Sequence, residues 1–141
     1  MPSGSSLSPA ADRNYVVVAR VIFGFLPPLA LMGVIFLLSA QSDLSTGLGF
    51  WDLLLRKLAH MISYGLLTLL WWRALAPLTG RALPAAILIS LVYAMSDEYH
   101  QSFVEGRVGS PVDVAIDTAG IAMAAALVRS GKLTRIGERF H

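Results

Sequence analysis

The chain has 141 residues, enough for a single domain. Hydrophobic residues make up 55% of it and charged residues only 14%, well under the share that covers the surface of a small soluble domain. A net charge of +2 gives no electrostatic footprint for nucleic acid, and the absence of cysteine excludes disulfides, thiolate metal ligands and a thiol nucleophile. What remains is a small polytopic membrane protein.

Residues 1–14 are small, polar and proline-containing, and read as a disordered tail. Residues 15–129 read as the membrane domain, and residues 130–141 as a basic cytoplasmic tail. The first apolar segment runs from Val21 to Leu38, or from Val16 if Arg20 snorkels, and Pro27-Pro28 predicts a kink in it. It outruns the roughly 7–15 residue core of a cleaved signal peptide. A Gly/Ser/Asp loop over 39–52 leads to a second segment over 53–75, and Pro77 to Gly80 forms a turn. A third segment covers 83–103, with Pro84 in its first turn. Ser110-Pro111 has the form of an N-cap followed by N1, and opens a fourth helix ending near Arg129. Trp51, Trp71 and Trp72 read as interface anchors. The expected fold is all-α, a bundle of four transmembrane helices.

With four spans both termini share a side. That side carries eight of the eleven Lys and Arg residues, and the other side carries Arg56, Lys57 and Arg107. The positive-inside rule therefore predicts cytoplasmic termini. Seven of the nine acids fall in the opposite, outer half, four more than the cations there.

The last three segments carry groups that are costly in lipid: Lys57 and His60, Asp97 and Glu98, Asp113 and Asp117. At about 1.5 Å per residue, all six lie roughly 16–22 Å above the cytoplasmic helix ends. Lys57, His60 and Tyr64 share one helix face, Asp97 and Gln101 another, and Asp113, Asp117 and Gly120 a third. Gly120 also permits close approach of a neighbouring helix. This predicts a polar pocket in the outer half, and an excess of carboxylates beyond what structural glue requires. An ion-pair network locking the helices is the competing reading, with Arg107 bridging to Asp113.

The string Lys57-x-x-His60-x-x-x-Tyr64, then Asp97-Glu98-x-x-Gln101-x-Phe103-x-x-x-Arg107-x-x-x-x-x-Asp113 and Gly120, resembles the VanZ-like family of small bacterial membrane proteins. Ser39-Ala40-Gln41 resembles that family's Ser-x-Gln after its first helix. The resemblance spans about residues 20–128, and departs where Asp117 replaces the usual Asn and Ala124 a common Gly. It implies a bacterial inner-membrane protein, and its namesake is associated with low-level resistance to teicoplanin, a glycopeptide with a fatty-acyl tail.

The expected role is binding or modifying the polar head of a lipid, a lipid-linked envelope precursor or a lipoglycopeptide at the outer leaflet. The expected ligand-binding residues are Gln41, Lys57, His60, Tyr64, Asp97, Glu98, Gln101, Arg107, Asp113 and Asp117. An intramembrane enzyme is the alternative, with Asp97 or Glu98 and His60 as acid–base groups. A cation- or proton-coupled carrier is a further one. No cofactor is required, although His60 with Asp97, Glu98 and Asp113 has the donor types of a divalent-metal site.

Overall fold

The structure is a computed structural model that describes residues 9–41, 49–105 and 109–132. Among these it contains four helices and no strand: α1 (Pro9–Ser39), α2 (Phe50–Leu75), α3 (Ala82–Gln101) and α4 (Pro111–Arg129). Three of them are long and apolar enough to cross a membrane: α1 over Val21–Ser39, α2, and α4. α3 is not among the three, because its last two turns carry Ser96, Asp97, Glu98 and His100.

α1 starts at Pro9, so part of the expected tail is helical. Pro9 occupies a position where a missing N–H is harmless. The helix continues through Pro27 and Pro28. The rest of that tail, residues 42–48 of the first loop and residues 133–141 of the basic tail lie outside the described residues. α4 begins as expected: Ser110 is its N-cap, its hydroxyl accepts from the Val112 N–H, and Pro111 follows. Gly131, at φ 67°, takes the left-handed conformation just past the C-cap.

α2 is the central helix and packs against α1, α3 and α4. Its buried stripe is Tyr64, Leu67, Thr68, Trp71 and Ala74, at the i, i+3, i+4, i+7 spacing of one helix face. Trp71 therefore points inward, edge-on to Phe25 with ring centroids 5.7 Å apart, and not outward as an interface anchor. The apolar core joins this stripe to Ile35, Ala86, Ala94 and Ile121. Large apolar side chains cover the outside: Phe23 is 69% exposed and Ile62 64%. Such a surface is costly in water, whereas an acyl-chain solvent fits it.

α4 reaches α2 closely because both present glycine. A methyl at Gly120 would overlap the Met61 carbonyl group, with its carbon 2.8 Å away. A methyl at Gly65 would lie 3.0 Å from the Gly120 carbonyl oxygen. This contact sets the height and separation of the two helices.

Candidate functional site

One end of the bundle gathers the end of α1, the first turns of α2, the last turns of α3 and the start of α4. Three polar clusters form there.

The first centres on Asp97, which is 3% exposed. Ser39, the last residue of α1, donates its hydroxyl to Asp97 Oδ2 at 2.9 Å. Gln101, one turn along α3, donates Nε2 to the same oxygen at 3.1 Å. Gln101 Nε2 also donates to Ser39 Oγ at 3.3 Å, so three side chains from α1 and α3 close on each other. The second cluster is the Lys57–Asp113 ion pair between α2 and α4, partly open to the outside.

The third lies between them. His60 Nδ1 approaches Asp117 Oδ1 to 3.5 Å, and Asp117 is fully buried. Glu98 Oε2 accepts the backbone N–H of Ser110 at 2.9 Å, which ties the end of α3 to the N-cap of α4. One ligand atom each from His60, Glu98 and Asp117 lies within 4.8 Å of the others. His60 Nδ1, Glu98 Oε1 and both Asp117 oxygens are buried without a hydrogen-bond partner among the described residues. So is the hydroxyl of Tyr64, whose ring lies 6.3 Å from that of His60.

Two cavities flank His60 and share Arg56. The apolar one, about 120 Å³, lies between α1 and α2 and is lined by Ile35, Leu38, Ser39, Ala59, Ser63 and Tyr64. The polar one, about 40 Å³, is lined by Leu53, Lys57, Glu98, Gln101, Asp113 and Ile116.

The expected residues are therefore brought to one end, but not as one set. Asp113 is engaged by Lys57, and one Asp97 oxygen by Ser39 and Gln101. The carboxylate that joins His60 and Glu98 is Asp117 instead of Asp97 or Asp113. Gln41 is exposed and its amide donates to Leu37 O at 3.4 Å, so Ser39 is the motif residue that reaches Asp97. Arg107 lies outside the described residues. Sequence reasoning missed Arg56, counted only among the cations of the outer side, and the Ser110 amide, whose role no side-chain pattern can announce.

No curated protein and no solved structure matches the chain significantly. The sequence pattern of the VanZ/LLP1 family does, over residues 11–133. The chain belongs to the VanZ/LLP1 family of membrane proteins.

Proposed function

We propose that this protein holds an amphiphile at the outer leaflet of the bacterial inner membrane, with the polar head at the His60 cluster and an acyl chain between α1 and α2. In this reading α3 is the fourth span. Its 20 residues are long enough for a core about 30 Å thick, and its charged turns are sheltered by α2 and α4. Both termini are cytoplasmic, following the Lys and Arg distribution.

The observation that carries the reading is the pair of cavities meeting at Arg56 and His60, one apolar and one polar. An amphiphile needs both environments side by side, and an ion-pair lock needs neither. Lys57 and Arg56 suit an anionic head, while Gln101 and Asp113 offer groups for hydroxyls or an amine. A lipid, a lipid-linked envelope precursor and a lipoglycopeptide share this chemistry.

Native mass spectrometry of the full chain, purified from bacterial membranes in mild detergent, tests it. Retention of one amphiphile class by the wild type, lost in Lys57→Gln and His60→Ala, is the expected result. A bare wild-type chain contradicts it. Conversion of added lipid to a new product would favour a lipid-head-group enzyme over a binder.

A further inference from the structure

We infer that His60, Glu98 and Asp117 form a binding site for one divalent transition cation. This goes beyond the amphiphile reading and stands without it.

Two aspartate oxygens, one glutamate oxygen and one imidazole nitrogen are buried here without hydrogen-bond partners among the described residues. Asp117 is 0% exposed and Glu98 5%. Buried carboxylate oxygens are ordinarily satisfied, and an isolated one costs several kcal/mol. Among the described residues Lys57 is directed to Asp113, and Asp117 has only the 3.5 Å approach of the His60 imidazole, longer than a good hydrogen bond. A dication would neutralise both carboxylates and engage one orphaned atom from each of the three residues.

The geometry suits this. Ligands about 2.0–2.2 Å from one ion lie roughly 3.0–3.5 Å apart. His60 Nδ1 and Asp117 Oδ1 are already 3.5 Å apart, and all three ligand atoms fall within 4.8 Å, a gap that small side-chain rotations close. One nitrogen with carboxylate oxygens is a borderline donor set, suited to Mn²⁺ or Zn²⁺ more than to Ca²⁺. The supporting shell is also present. The Ser110 N–H fixes Glu98 through Oε2 and leaves Oε1 directed inward. Gly109 lets the chain pass close over α3, because a methyl there would overlap the Glu98 carbonyl oxygen. Positions left on the ion would face the polar cavity, so an anionic head group would complete the coordination; that last step alone rests on the amphiphile reading.

The test uses the full chain in detergent, stripped with a chelator, with Mn²⁺ as the only probe and no lipid added. Electron paramagnetic resonance titration is expected to show one bound Mn²⁺ per chain, displaced by Zn²⁺ and carrying nitrogen coupling from an imidazole. Affinity should fall at least tenfold in Asp117→Asn, Glu98→Gln and His60→Gln, and stay unchanged in Glu105→Gln. Equal binding by wild type and the Asp117→Asn variant overturns the site. Should the variants fail to accumulate, the wild-type spectrum decides: a spectrum of hydrated Mn²⁺ without nitrogen coupling overturns it equally.

Discussion

Gly120 on α4 rests directly against the backbone of Met61 on α2, with no room for a β-carbon between them. One residue before Met61 is His60, and one turn before Gly120 is Asp117. The glycine contact therefore positions the pair whose atoms stand 3.5 Å apart. Gly120→Ala must push the two helices apart at a backbone, where nothing can rotate away. The expected cost is about 1–3 kcal/mol, read as a lower midpoint of thermal unfolding in detergent and reduced accumulation. An unchanged midpoint would show that the helices do not meet there.

Ser39→Ala tests the link from α1 to α3. It removes one of two donors from a buried Asp97 oxygen whose sister oxygen already lacks a partner. The expected loss is about 1–3 kcal/mol. Gln41→Ala, on an exposed side chain, should cost less than half as much in the same unfolding assay.

Lys57 and Asp113 behave differently, because their side chains are 31% and 29% exposed. Solvent screening reduces such a pair to about 0.2–1 kcal/mol. Lys57→Gln and Asp113→Asn should therefore accumulate and unfold nearly as wild type does. Their loss should appear in ligand retention, a split that a purely structural ion pair would not produce.

Much of this end of the molecule is legible in the chain. Ser110-Pro111 announces the start of α4, and Gly120, one turn after Asp117, announces a close helix contact. The shared depth of the charged residues follows from helical rise alone, and the family follows from the spacing of the same residues. The pairing is not legible, because it depends on how each helix is rotated against its neighbours. Spacing places Asp97, Glu98, Asp113 and Asp117 at one height, but only packing decides that Lys57 meets Asp113 and that His60 meets Asp117. Trp71 was readable and misleading: it completes the Tyr64, Leu67, Thr68 stripe, yet its type and place near a helix end suggest an interface.

Because the chain has no cysteine, topology can be mapped with single introduced thiols on a clean background. Phe50→Cys and Glu105→Cys should react with an impermeant maleimide added outside intact spheroplasts. Thr79→Cys, in the turn between α2 and α3, should react only after permeabilisation. The reverse pattern would place the site on the cytoplasmic side.

The proposed pose puts a head group at His60 and its chain between α1 and α2. The most direct measurement is photo-crosslinking in membranes with a lipid bearing a diazirine on its acyl chain, followed by peptide mapping. Adducts concentrated on Ile35, Leu38, Ala59 and Ser63, and abolished by His60→Ala, are the predicted result. Adducts spread over outward-facing residues such as Phe23, Ile62 and Leu88, and indifferent to His60, would contradict it.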